Sequence, residues 1–189
     1  MRLIIVDGLD GVGKDTHARL IKKFYEARGE SVMVRSHPES DNYYGRVAKR
    51  SLLGSGKLNQ LKASVFYAID VLESLRKYYR PMQFDTLIIV RYLMGTAYLP
   101  RLLAGVGYRL FEKFVPTSKC MFFLDADPDE LLDRIKRRNE VEMFETYDAL
   151  VKVRKKALVL AQKWHIIDTS GSIEGTFSQI KQILVLDDC

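Results

Sequence analysis

The sequence has little of what staples or metallates a small domain. It carries two cysteines in 189 residues, Cys120 in an apolar stretch and Cys189 at the last position. They show no metal-ligand spacing and suggest no disulfide framework, which suits a reducing, cytoplasmic setting. No apolar run approaches the ~20 residues of a membrane-spanning helix, so no membrane partner is expected. The opening MRLIIVDG is too brief for a secretion signal. Internal repeats, low-complexity tracts and linker-like shifts in composition are missing too, so the chain reads as a single domain over 1–189. The histidines, His17, His37 and His165, are isolated in the sequence, and surface or satisfied structural roles are the default for each.

What is present is the composition of a globular protein, 47% hydrophobic and 29% charged. The formal net charge is +6 and the isoelectric point near 9.2. The basic residues are dispersed and not interleaved with aromatics as in single-strand binders, so no nucleic-acid partner is expected. A solvated surface and a pocket for a small polyanion account for the charge.

Periodicity predicts short strands at 2–6, 31–35, 86–90, 119–125 and 165–168, apolar on both faces. Helices are expected over about 14–28, from about 44 to a break at 54–56, and over 60–79, 93–103, 128–138, 144–163 and 173–184. Doubly apolar strands alternating with helices imply a five-stranded parallel sheet covered on both sides, a three-layer α/β fold.

The stretch VDGLDGVGKDT, residues 6–16, carries the chemistry. Gly8, Leu9, Asp10, Gly11, Val12, Gly13 and Lys14 follow a strand and open a helix, the context a phosphate-binding loop needs. Backbone N–H groups turn toward the phosphates, the helix N-terminus adds partial positive charge, and Lys14 reaches the outer phosphates. Asp15 stands where such loops place a hydroxyl residue, with Thr16 after it. Arg134, Arg137 and Arg138 share one face of a helix, at i, i+3 and i+4. Arg91 follows a strand end, where ligands collect in open parallel sheets.

These segments resemble the thymidylate kinases, within the P-loop nucleoside monophosphate kinases, as an archaeal-like divergent member. GLDGVGKDT is similar to that family's phosphate loop, RYLMGTAY (91–98) to its Asp-Arg-Tyr motif, and VFYAID (65–70) to its Phe-Ala-Ala-Asp helix. LDADPDELLDRIKRRNEVEMFE (124–145) resembles its fourth strand, following helix and lid, and IIDTSGSIE (166–174) its closing strand and adenine-side loop. The resemblance implies a P-loop NTPase-type fold, ATP and Mg²⁺, a homodimer, and phosphorylation of a deoxynucleoside monophosphate, with dTMP the first candidate. A kinase for another nucleoside or nucleotide, or a nucleotide-binding protein with little catalysis, are the alternatives. It further implies that Lys14 and the lid arginines Arg134 and Arg138 neutralise the transferring group, with Arg137 at the nucleotide and a lid at 134–145. Arg91 would hold the acceptor phosphate, Asp10 meet the sugar 3′-hydroxyl, and Tyr67 stack on the acceptor base.

Three departures stand against that pattern. Asp15 replaces the magnesium-binding hydroxyl, Val90 replaces the Asp of Asp-Arg-Tyr, and Val71 and Ser40 stand where arginines are expected on the base side. Magnesium commonly takes one or two carboxylates along with substrate phosphates, so a gain at 15 and a loss at 90 conserve the local charge. Asp15 is therefore the candidate metal ligand; the alternative is a carboxylate that stabilises the helix N-terminus of the empty protein and repels triphosphate. Arg35, Arg46 and Arg76 are the candidates to replace the lost base-side arginines.

Overall fold

A computed structural model describes residues 1–54, 56–99, 101–137 and 146–186. Five parallel strands run β1 (Arg2–Gly8), β2 (Val32–Ser36), β3 (Thr86–Val90), β4 (Met121–Asp125) and β5 (His165–Asp168). Their order across the sheet is β2-β3-β1-β4-β5. Ile4, Ile5 and Val6 of β1, all of Leu87–Val90 in β3 and Phe122–Leu124 in β4 are fully buried. Doubly apolar strands take the centre of a sheet because both of their faces must be covered.

The helices are α1 (Lys14–Glu26), α2 (Tyr43–Leu52), α3 (Lys57–Ser74), α4 (Arg101–Phe114), α5 (Pro128–Lys136), α6 (Tyr147–Leu160) and α7 (Ile173–Leu186). With the usual right-handed crossovers, this strand order puts α1 on one face and the helices between β2 and β5 on the other. After β5 the chain returns to pack α7 on α1. Helix starts are chemically marked: Asn42 accepts from Gly45 N–H, Asp127 accepts from Asp129 N–H ahead of Pro128, and Thr146 caps α6.

Three expectations are corrected. The helix foreseen at 93–103 is a 3₁₀ helix at Met94–Tyr98, then a separate α4 from Arg101. Proline at position 100 of the sequence lacks a backbone donor and favours a new helix start. Gly105 and Gly107, each costing about 1 kcal/mol in a helix interior, hid α4 from the periodicity. The helix foreseen at 60–79 starts earlier and ends in a π-helical turn, Leu75–Tyr79. Cys120 is disulfide-bonded, against the expectation; Cys189, the other cysteine of the sequence, lies outside the described residues.

Because the chain leaves β1 toward β2 and leaves the neighbouring β3 toward β4, in opposite directions across the sheet, the switch point lies between β1 and β3. The crevice beyond the carboxyl ends of these strands is where such sheets bind ligands, and the glycine loop opens directly onto it.

Candidate active site

The loop after β1 is built by backbone constraint. Gly8, Gly11 and Gly13 all have positive φ, and a Cβ on Gly8 would lie 2.3 Å from the Leu124 carbonyl oxygen, so only glycine lets the loop pass β4 so closely. Lys14 is buried at the first turn of α1. Its Nζ donates to the carbonyls of Gly8 at 3.0 Å and Leu9 at 2.5 Å, and to Asp10 Oδ1 at 3.3 Å. Burial pushes the Lys14 ammonium below its ordinary pKa, partly opposed by the Asp10 charge.

Arg91 follows β3 with φ +56, a left-handed conformation uncommon outside glycine, at the edge of the sheet where ligands bind. Its guanidinium donates to Asp15 Oδ2 at 3.1 Å and Ser36 Oγ at 3.0 Å, and lies 3.9 Å from Asp10. Asp15 also accepts from Ser36 Oγ at 2.5 Å. Burial alone would raise the Asp15 carboxyl, but the Arg91 charge and the Ser36 hydrogen bond hold it below its ordinary value. Asp10 behaves alike: burial raises it, the Lys14 and Arg91 charges outweigh that, and Tyr98 Oη donates to it at 2.9 Å.

A cavity of about 810 Å³ runs outward from this cluster, with Asp10, Lys14, Asp15, Arg91 and Tyr67 among its lining residues. A smaller one of about 230 Å³ is bounded by Gly11, Gly13, Lys14, Asp15, Thr16, Arg19 and Arg91. Tyr67 on α3 donates its hydroxyl to the Tyr92 carbonyl at 3.1 Å. Its ring passes so near Gly95 that a Cβ there would sit 2.9 Å from it.

The sequence-derived candidates therefore divide. Gly8 to Thr16, Tyr67 and Arg91 converge on the two cavities, except that Leu9 and Val12 turn into the core. Arg134 lines neither cavity: it donates to the Thr169 carbonyl at 2.7 Å and pairs with Glu130, fastening α5 to the loop after β5. Arg137 caps the end of α5, whereas Arg138 and the rest of the lid, 138–145, lie outside the described residues. Val90 and Val71 are both fully buried in the core, so neither position offers a polar group to a ligand. None of the three proposed base-side replacements lines the large cavity. Arg35 forks onto Asp41 at 2.8 and 3.0 Å, Arg46 donates to the Ser40 carbonyl, and Arg76 pairs with Glu73.

Three positions escaped the sequence reading. Asp7, buried at the end of β1, accepts from the Tyr92, Met94 and Gly8 N–H groups at 2.8, 3.0 and 3.0 Å, tying the loop to the turn after β3. Burial pushes its carboxyl upward, against those hydrogen bonds. A carboxylate ending an apolar strand was the available signal. Ser36 joins Asp15 to Arg91, and His37 pairs with Asp70; neither has a local signal, because the partners are 21 to 55 residues away.

A buried lysine inside a glycine loop, beside an arginine at the next strand end and a deep cavity, is an arrangement for gripping two phosphorylated groups at once. The family model for thymidylate kinase matches residues 6–180 of this chain. The chain belongs to the thymidylate kinase family. It is thus a nucleoside monophosphate kinase-type phosphotransferase with a P-loop fold. Among relatives, a probable thymidylate kinase of Archaeoglobus fulgidus is 26% identical, over 96% of this chain and 94% of its own length. The thymidylate kinase of Akkermansia muciniphila is 25% identical, over 97% and 91%. The solved thymidylate kinase of Candida albicans superposes with a TM-score of 0.79 at 17% identity, covering 99% of this chain and 92% of its own. Membership does not extend to every motif: the family-like Asp-Arg-Tyr segment here reads Val90-Arg91-Tyr92. No described helix is long and apolar enough to cross a membrane.

Proposed function

We propose that this chain transfers the γ-phosphoryl group of ATP to dTMP, giving ADP and dTDP. The observation that carries this reading is the single cavity that joins Lys14 of the glycine loop to Arg91 and onward to Tyr67. An acceptor seated there has its phosphate oxygen, the nucleophile, aimed at the γ-phosphorus, while ADP departs on the side of the loop. Lys14 exchanges its carbonyl partners for phosphate oxygens, and the loop N–H groups hold the donor. Arg91 turns from Asp15 and Ser36 to the acceptor phosphate, and Asp10 receives the sugar hydroxyl. No covalent intermediate is required, since positioning and charge neutralisation supply the catalysis.

Mg²⁺ is part of the proposal. Mg²⁺ is commonly held by substrate phosphates together with one or two carboxylates. Asp15 fits as the protein ligand, with Thr16 beside it on the smaller cavity. Its two oxygens each accept one hydrogen bond and retain lone pairs. When bound, the ion neutralises the donor phosphates.

A cytoplasmic homodimer completes the reading. Leu58, Leu61 and Val65 of α3 and Leu103, Val106 and Phe114 of α4 expose large apolar surface at helical spacing, more than a lone soluble domain ordinarily leaves in water. Sedimentation at the mass of two chains, lost in Val106→Glu, is expected; a monomer at micromolar concentration refutes the dimer.

The activity is tested by incubating the chain with ATP, Mg²⁺ and a panel of nucleosides and monophosphates and following ADP release. Turnover highest with dTMP is expected. A higher rate on another acceptor replaces dTMP, and tight ATP binding with no turnover on any acceptor overturns the kinase reading.

A further inference from the structure

Two buried side-chain polar atoms among the described residues have no hydrogen-bond partner, His17 Nδ1 and His37 Nε2. Of the two residues, His37 lines the large cavity. It follows β2 and its ring is wholly buried, as is Asp70 on α3. His37 Nδ1 lies 2.7 Å from Asp70 Oδ2. The same carboxylate accepts from Glu39 N–H at 2.8 Å and from the Asn42 amide at 2.5 Å. Burial would raise the Asp70 carboxyl, but His37 first, and then the Glu39 N–H and the Asn42 amide, hold it below its ordinary value, so it serves as an acceptor. Nδ1 must then carry the ring hydrogen, and in the neutral ring Nε2 is left as a lone-pair acceptor. A buried acceptor without a donor is destabilising, and its retention points to a donor brought by a ligand.

What that donor belongs to follows from the neighbours. The imidazole stands 6.4 Å from the Tyr67 ring at a steep 78°. Tyr67 lines the same cavity and offers the aromatic surface for a planar base. Val71, one residue after Asp70, is sealed in the core and reads nothing. We infer that His37, oriented by Asp70, selects the acceptor base by accepting a hydrogen bond from its ring imide N–H. Thymine carries that hydrogen at N3. Cytosine has a lone pair at the same atom, so two acceptors would face each other and the buried site would reject it. His37 thus reads the base through a nitrogen that is closed to solvent while the cavity is empty, and Asp70 is a positioning residue that sets the tautomer. The inference rests on the proposed use of this cavity for a monophosphate acceptor.

The test measures Kd by calorimetry and kcat/KM for dTMP, dCMP and N3-methyl-dTMP, on the wild-type chain, His37→Phe, His37→Gln and Asp70→Asn, with thermal melts to verify folding. Wild type is expected to prefer dTMP over both analogues by about tenfold or more. His37→Phe should cut the dTMP-to-dCMP ratio by about tenfold through loss on dTMP, with KM moving more than kcat. His37→Gln, which keeps an acceptor, should restore part of the ratio. Asp70→Asn should narrow it without an equal loss on dCMP, because the tautomer is no longer enforced. Equal losses on dTMP and dCMP in His37→Phe would mean a structural histidine and overturn the inference. So would wild type binding N3-methyl-dTMP as tightly as dTMP, an outcome that needs no variant to fold. Should wild type phosphorylate no monophosphate, the proposed activity falls while the Kd ratios still decide the role of His37; binding neither dTMP nor dCMP overturns that role as well.

Discussion

At the inner end of the cavity, Lys14, Asp10, Arg91 and Asp15 form an unbroken chain of opposite charges joined through Ser36. At the outer end, Leu72, Leu110 and Phe114 line an apolar wall that continues onto the exposed faces of α3 and α4. Between them sits one buried acceptor, His37 Nε2, with nothing to bind. The inner end is self-neutralised, so phosphates enter it by exchanging ionic partners. The outer end offers shape, an aromatic ring and a single directional contact. On the proposed reading, phosphate grip and base choice are therefore separable, assigned to different residues on different elements.

The comparison is broken most directly at Lys14. Lys14→Met should lower kcat about 10²–10³-fold, the usual loss when a group that stabilises transition-state charge is removed. The loss should be equal for every accepted monophosphate, leaving the dTMP-to-dCMP ratio unchanged. A shift in that ratio as large as the loss of rate would merge the two ends into one device.

A smaller effect is expected at Asp15. Asp15→Ser removes both the Arg91 counterion and the proposed magnesium ligand, and should change the Mg²⁺ concentration at half-maximal rate by about tenfold or more. An unchanged magnesium titration would leave Asp15 as the partner of Arg91 alone. That pairing already sharpens the sequence argument: with Val90 buried and apolar, the carboxylate that faces Arg91 comes from α1 instead of β3.

The smallest effect belongs to the outer end, where the Arg35 hydrogen bond lowers the Asp41 carboxyl to about 2. A depressed carboxyl stabilises the fold fully above its ordinary value of 3.8, and that contribution is lost as pH falls through about 2. Asp41 is largely exposed, so Asp41→Asn should cost less than about 1 kcal/mol at pH 7 by urea unfolding. The difference from wild type should shrink as pH falls from 3.8 and vanish only below about pH 2; an undiminished difference there would mean the pair does not act through charge.

Legibility followed contiguity along the chain. The loop at 8–14 could be read because seven consecutive residues carry its geometry, and the central strands because burial on both faces fills Ile4–Val6, Leu87–Val90 and Phe122–Leu124 with apolar residues. Helix α4 was not legible, since glycines at 105 and 107 mask its propensity and much of its apolar face stays in water. Arg134 was readable as a helix-face cation, but its partner, the carbonyl of Thr169, lies 35 residues on. His37 looked like an isolated histidine because its partner Asp70 is 33 residues away.

The amino-acid order by itself determined the class of fold, the phosphate loop and the family, because these rest on local conformational limits: glycines at positive φ, a lysine at a helix start, and strand-helix alternation. Only the tertiary structure decided what Asp15 faces, why Val90 and Val71 are silent, and that one histidine nitrogen is orphaned beside Tyr67. Those outcomes depend on which strand ends the sheet order brings together. Pairing β1 with both β3 and β4 gathers residues 7, 15, 36, 91 and 124 into one place, and no local rule of sequence encodes that meeting.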